Sequence, residues 1–289
     1  MRPLLLFSLF AFLLSCSNAE QPPSNEPEQP PLAVEPSLKA EDAVMLNFDS
    51  LYQSYGVEGC FALYNLKNDS LSLYNPARCR QGFLPASSYK IPNSLIALET
   101  GVMKSLGDTI FWDGNERWNE DWNRDNTFAE AFRVSCVPCY QQIARKIGVD
   151  RMREWTTKAS YGQLDINADN IDTFWLEGDS RVTPFQQVSF LARLYREQLP
   201  FQKEHQRTVK QIMLLEETPE YKLYGKTGWA QPDGRNIGWF VGFFETGGEA
   251  YAFVNNVENE QAPEGQNQLF QKCRKEIVEK VLSAWLDAN

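Results

Sequence analysis

Apolar residues change their spacing repeatedly along the 289-residue chain, and each change predicts an element. Residues 4–14 are mostly apolar without a period, and residues 17–40 carry few apolar groups among Pro, Glu, Asn and Ser. Residues 43–55 repeat at helical spacing and predict an amphipathic helix. Residues 60–64 and 71–74 are short apolar runs on either side of Asn68-Asp69, which predicts a β-hairpin. From Pro92 to about residue 211 the period is mostly helical. Within it Thr183-Pro184, an N-cap residue followed by proline at the first helical position, opens a helix carrying Val188, Leu191, Ala192, Leu194 and Tyr195. Strand-like runs return at 221–227, 237–245 and 250–257, the last two joined at Gly247-Gly248, and residues 267–286 close the chain as an amphipathic helix. Strands at both ends with helices between predict an α+β fold: an antiparallel sheet flanked by terminal helices, beside an all-helical lobe, with the site in the cleft between them.

The ends and the charge narrow the setting. Eleven residues, 4–14, are too few to cross a bilayer and suit the core of a signal peptide behind Met1-Arg2. The run ends in Leu13-Leu14-Ser15-Cys16, which resembles a bacterial lipobox. The expectation is a signal peptide over 1–15, lipidation of Cys16, a disordered tether over 16–40 and a catalytic domain over 41–289. Ordinary cleavage near Ala19 is the alternative, and either route exports the chain, to the periplasm. The net charge of −10 argues against nucleic acid or an anionic membrane surface as partner.

Six cysteines include Cys16, so five remain and at least one is unpaired within the chain. Cys60 and Cys79 flank the hairpin region and can pair in an oxidising compartment. Cys136-Val137-Pro138-Cys139 has redox-motif spacing, but no thioredoxin-like βαβ pattern surrounds it. Packing at a helix start, with or without a bond, is the simpler reading. Trp112, Trp118, Trp122 and Trp155 read as core and loop packing.

The chemistry-bearing candidates begin with Ser87-Ser88-Tyr89-Lys90, which runs straight into the apolar stretch Ile91-Pro92-Asn93-Ser94-Leu95-Ile96-Ala97-Leu98. A hydroxyl and an amine three residues apart at a helix start share one face. A serine hydroxyl needs a neighbouring base to become a nucleophile. The single histidine, His205, sits in a polar stretch with nothing beside it that suits a catalytic partner, so lysine is the candidate base. Alone, Ser-x-x-Lys is weak: about one arises by chance in a chain of this length. Two further motifs follow in order, Ser135-Cys136-Val137 and Lys226-Thr227-Gly228-Trp229.

Together these three resemble the signature of the active-site serine penicillin-recognising enzymes. The stretch from Phe83 to Gly101 is more closely similar to the nucleophile helix of class D β-lactamases, the oxacillinases. Ser135 to Gln141, Ile171-Asp172-Thr173-Phe174-Trp175-Leu176-Glu177-Gly178, Gly238-Trp239-Phe240-Val241-Gly242 and Cys273-Arg274-Lys275-Glu276-Ile277 resemble further segments of that family. The likeness extends over about residues 45–286. It departs at Gln163, where the family has Asn, and at Tyr89, where it commonly has Phe.

The resemblance implies β-lactam antibiotics as substrates and no metal or organic cofactor. It assigns Ser87 as nucleophile and Lys90 as general base once carbon dioxide has made it N6-carboxylysine. Val137, Trp175 and Leu176 are expected to keep that lysine dry, with the Trp175 N–H bonded to the carbamate. Ser135 relays a proton beside Lys226; Thr227 and Arg274 clamp the substrate carboxylate; Tyr89, Gly228 and Trp229 line the binding site, the Ser87 and Trp229 N–H groups forming the oxyanion hole. Two other readings compete: a sensor-like penicillin-binding domain that acylates and deacylates poorly, and a D-alanyl-D-alanine peptidase, whose second motif usually ends in Asn where this chain has Val137.

Overall fold

The computed structural model describes residues 42–261 and 267–288. The expected signal segment, Cys16 and the whole of the expected tether lie outside them. In chain order the elements are β1 (Val44–Met45), α1 (Asp49–Ser54), β2 (Glu58–Asn65), β3 (Leu71–Tyr74), α2 (Pro76–Cys79), α3 (Lys90–Glu99), β4 (Thr109–Ile110), β5 (Asn126–Thr127), α4 (Phe128–Arg133), α5 (Val137–Ile147), α6 (Val149–Lys158), α7 (Pro184–Tyr195), α8 (Lys203–Ile212), β6 (Leu214–Glu217), β7 (Tyr221–Ala230), β8 (Arg235–Thr246), β9 (Glu249–Glu260) and α9 (Gln268–Ala288).

Seven strands form one sheet in the order β1-β3-β2-β9-β8-β7-β6. All neighbours are antiparallel except β1, which runs parallel to β3. The β8–β9 turn is Gly247-Gly248, with φ of +57° and +77°. Two left-handed residues make the tight hairpin whose twist matches the strands, which is why two glycines stand there. Period-two alternation sends Phe61 and Leu63 of β2, Phe253 of β9 and Phe240 of β8 to one face, where Val278, Val281 and Leu282 of α9 cover them. Ala62, Val254, Val241 and Phe243 point to the opposite face, against α7 and the helical layer. The central strands are therefore buried on both sides, each large apolar side chain contributing about 1.5–3 kcal/mol.

The helical lobe packs α3 against α5, α6 and α8. Thr183 caps α7 as expected: its Oγ1 accepts from the Gln186 N–H at 3.0 Å while Gln186 Oε1 accepts from the Thr183 N–H at 2.9 Å. A second box, Thr127 with Glu130, opens α4 and so fixes the approach to Ser135.

Several local expectations are corrected. Residues 43–55 are not one helix: Val44 and Met45 pair with β3 before α1 begins, because a free sheet edge supplies backbone partners that a short helix start does not. Strand β6 and the β4–β5 ribbon interrupt or follow what the period marked as helix. Cys60 and Cys79 are both free and buried, as is Cys273, whereas Cys136 and Cys139 are disulfide-bonded. The tryptophans divide between loop and core as expected: Trp118, 78% exposed, packs against Trp122, the Trp112 indole donates to the Asn115 carbonyl at 2.9 Å, and Trp155 packs against Phe201.

Candidate active site

Ser87 lies in a 3₁₀ turn, Ala86–Tyr89, that leads directly into α3. Ala86 has φ +50°, a left-handed conformation that costs a residue with a Cβ about 1–3 kcal/mol. The backbone around it holds the strain: Ala86 N–H donates to the Trp175 carbonyl at 2.7 Å, and Ser88 N–H to Pro85 at 3.2 Å. From the sheet side, the Trp239 indole donates to the Leu84 carbonyl at 2.8 Å. Strand β7 closes in as well. A Cβ built on Gly228 would stand 3.1 Å from Ser88 N and 3.2 Å from the Pro85 oxygen, tight enough that the turn would have to give by a few tenths of an ångström.

The turn separates two adjacent serines by direction. Ser87 Oγ is 3.0 Å from Lys90 Nζ. Ser88 Oγ is committed elsewhere, donating to the Pro85 carbonyl at 2.6 Å and accepting from Gln187 Nε2 at 2.7 Å. Only Ser87 has a basic neighbour.

Lys90 is 1% exposed. Burial pushes its amine well below the ordinary lysine range, and the charge of Lys226 pushes the same way. The Tyr140 ring lies 5.0 Å beneath its nitrogen, and the Tyr140 hydroxyl meets Ser94 Oγ at 2.7 Å, which itself donates to the Lys90 carbonyl. Tyr140 carried no signal in the sequence beyond a helical aromatic position. Tyr89 stacks on Trp175 with centroids 5.7 Å apart and bonds to Met152 Sδ through its hydroxyl, so the Phe-to-Tyr departure is absorbed inside the core. Trp175 is 1% exposed and its Nε1–H has no partner among the described residues. A buried N–H without an acceptor costs about 1–3 kcal/mol, and such an atom in a native site points to a missing partner.

Ser135 has φ +54° and accepts from Lys226 Nζ at 3.0 Å; the same nitrogen donates to the Thr227 carbonyl at 3.0 Å. Burial lowers the Lys226 pKa to about 7, with Arg274 adding to the shift. Arg274 reaches over from α9, its stem lying in the slot left by Gly238, and donates through Nη1 to the Gly228 carbonyl at 2.7 Å. Burial brings it down to about 10. Val137 and Leu176 are half-buried. The Trp229 indole donates to Asn236 Oδ1 at 2.9 Å. Gln163 pairs with Arg181 through the backbone, a bridge that does not depend on its side chain.

A serine beside a buried lysine of lowered pKa, a second serine held by another buried lysine, and a strand closing on the first serine's turn make the arrangement of an active-site serine enzyme. The family of the penicillin-binding protein transpeptidase domain matches residues 53–283. The chain is 40% identical over 214 residues to the probable β-lactamase YbxI of Bacillus subtilis, covering 74% of this chain and 79% of that one. It is 37% identical over 242 residues to β-lactamase OXA-5 of Pseudomonas aeruginosa, covering 83% and 88%. Among solved structures, the class D β-lactamase YbXI from Nostoc superposes with a TM-score of 0.77 at 40% identity, over 83% of this chain and 98% of that one. The class D enzyme of Sebaldella termitidis gives 0.78 at 32% identity, over 84% and 98%. The chain belongs to the class D β-lactamases, serine hydrolases of the penicillin-binding fold.

Proposed function

We propose that this protein hydrolyses β-lactam antibiotics through an acyl-enzyme on Ser87, with Lys90 carboxylated by carbon dioxide as the general base. The observation that carries the second half is the Trp175 Nε1–H, buried and without an acceptor among the described residues. It belongs to a residue bonded to Ala86 and stacked on Tyr89, the positions flanking Ser87 and Lys90. An anionic carboxylate-like group on Lys90 would supply that acceptor. The dry, neutral amine is the form that combines with carbon dioxide. When bound, the carboxyl group supplies a carboxylate-like base that reaches further than the amine alone.

Ser87 loses its proton toward Lys90 and its Oγ bonds to the ring carbonyl carbon. The amide C–N bond breaks, and the departing nitrogen takes a proton through Ser135, with Lys226 alongside. Water, activated at the same base, then adds to the ester, the Ser87 Oγ–carbon bond breaks and Ser87 regains its proton. Thr227 and Arg274 face the substrate carboxylate, and the Ser87 and Trp229 N–H groups receive the oxyanion; the tight approach of Gly228 to the nucleophile turn favours that pairing. The N-terminal sequence adds export and a lipid anchor at Cys16, with the tether behind it, which would place the enzyme at the periplasmic face of a membrane.

Isotope-labelled bicarbonate tests the base. A carbamate carbon signal should appear in the wild type and vanish in Lys90→Ala, and turnover in Trp175→Phe should come to depend on added bicarbonate. Full turnover without the signal would assign Lys90 as a plain amine, and an acyl-enzyme lasting hours would identify a sensor. For the anchor, Cys16→Ala should release the protein from membranes with unchanged kcat. A wild type already soluble, with its mature N-terminus beyond Cys16, overturns that assignment.

A further inference from the structure

The Cys136–Cys139 disulfide brackets the first turn of α5, immediately after Ser135. The two Cα atoms are 5.4 Å apart, and both side chains are buried, Cys136 fully and Cys139 to within 5%. A bridge across three peptide bonds closes a very short loop, so it removes little freedom from the unfolded chain. Its effect is local, and the locality is the active site. Ser135, one residue before the bridge, is held with φ +54° by Lys226 Nζ at 3.0 Å and by its own N–H to the Phe132 carbonyl at 3.1 Å. Val137 stands between the bonded cysteines, and Tyr140, whose ring underlies Lys90, follows them. A residue with a Cβ stays left-handed only where its surroundings over-determine it. On the N-terminal side, α4 ends at Arg133 with Cys136 N–H donating to the Ala131 carbonyl at 2.9 Å. On the C-terminal side the constraint is the covalent bridge.

We propose that this disulfide is a positioning element for acylation: it fixes the turn that presents the Ser135 hydroxyl to Lys226. The inference rests on the reading of Ser135 as the proton relay. Cys136 also caps α5, its Sγ accepting from the Cys139 N–H at 3.2 Å, so a cap effect must be separated from the bond. Serine at both positions does this, because a hydroxyl caps a helix and cannot form the bridge.

The test measures Ser87 acylation by rapid quench and intact mass in four proteins: wild type, Ser135→Ala, the pair Cys136→Ser/Cys139→Ser, and the triple variant. A phosphine reductant adds a fifth sample. It transfers two electrons to the S–S bond and leaves as the phosphine oxide with oxygen from water, yielding two thiols. The paired variant and the reduced wild type should both acylate about tenfold more slowly, with the melting temperature nearly unchanged. Reoxidation of the reduced enzyme should restore the rate. The bond acts through Ser135, so removing it in the Ser135→Ala background should change acylation less than about twofold. Additive losses, wild-type rates in the paired variant, or unfolding in step with lost activity each overturn the positioning role. A Ser135→Ala enzyme that acylates normally overturns the relay reading instead.

Discussion

Ser87 and Ser88 share a backbone turn and differ only in where their hydroxyls point, and that difference separates chemistry from support. Ser87 faces the amine of Lys90, while Ser88 links Pro85 to Gln187 and, through Gln187 Oε1, to the Tyr161 hydroxyl at 3.2 Å. Ser87→Ala should abolish the penicillin adduct on the intact protein. Ser88→Ala should keep the adduct but strand the buried Gln187 amide, at about 1–3 kcal/mol of stability in a denaturant titration. An adduct that survives in the first variant and disappears in the second would reverse the assignment. At Lys90 the direction of ionisation matters as much as position. Its depressed pKa means that falling pH protonates the amine and removes the form that binds carbon dioxide. Activity lost on acidification should therefore return more fully with added bicarbonate at a pH where part of the amine is still neutral.

At the scale of elements, the site is a contact between β7 and the 3₁₀ turn ahead of α3, and Gly228 sets its closeness. The neighbours of a Cβ there are backbone atoms of Pro85 and Ser88 together with the Trp239 ring, at 3.1–3.2 Å, so each would have to give by a few tenths of an ångström. Gly228→Ala should push strand and turn apart, destabilise the fold by about 1–3 kcal/mol and lower kcat/KM by about tenfold or more. Steady-state kinetics beside a melting curve read both effects; full activity in this variant would mean the strand has slack that the geometry denies. The same junction is tied by Trp239 to Leu84, so β8 takes part in holding the nucleophile although none of its side chains bonds to Ser87 Oγ. The motif Gly238-Trp239 is visible in the sequence, but its reach to the turn is not, because the partner is a backbone carbonyl 155 residues away.

For the whole molecule, buried titratable groups shape stability against pH. Lys226 ionises at about 7 in the folded protein and near 10.4 when unfolded, so between those values the unfolded chain holds a proton that the folded chain lacks. Stability should rise with pH across that window, by at most about 1.4 kcal/mol per pH unit for each such lysine, Lys90 acting in the same sense. Above about pH 10 the sign reverses. Tyr52, Tyr89, Tyr140 and Tyr161 all have raised pKa values through burial, so the folded state keeps protons the unfolded chain releases. Denaturant unfolding in bicarbonate-free buffer should show a maximum near pH 10, and Lys226→Met should flatten the rising limb. A flat profile from pH 7 to 10 in the wild type would mean that water reaches both lysines.

Local regularities of the chain determine much of this protein. Period-two and helical spacing place β2, β3, β7, β8, β9, α7 and α9, because each buries a face that its own neighbours in sequence define. The three motifs are legible as well, because serine and lysine lie one turn apart and the third motif falls within a strand-like run, β7. What the chain alone leaves undecided depends on partners distant in sequence. The parallel edge strand β1 exists because β3 offers an unpaired edge, and β6 because β7 does. Cys60 and Cys79 remain thiols while Cys136 and Cys139 are bonded, and Trp118 turns to solvent. Tyr140 comes to lie under Lys90, and the Trp175 N–H is buried facing no acceptor among the described residues. Composition does not encode these outcomes, since each is a distance between segments, and only the packed molecule sets distances.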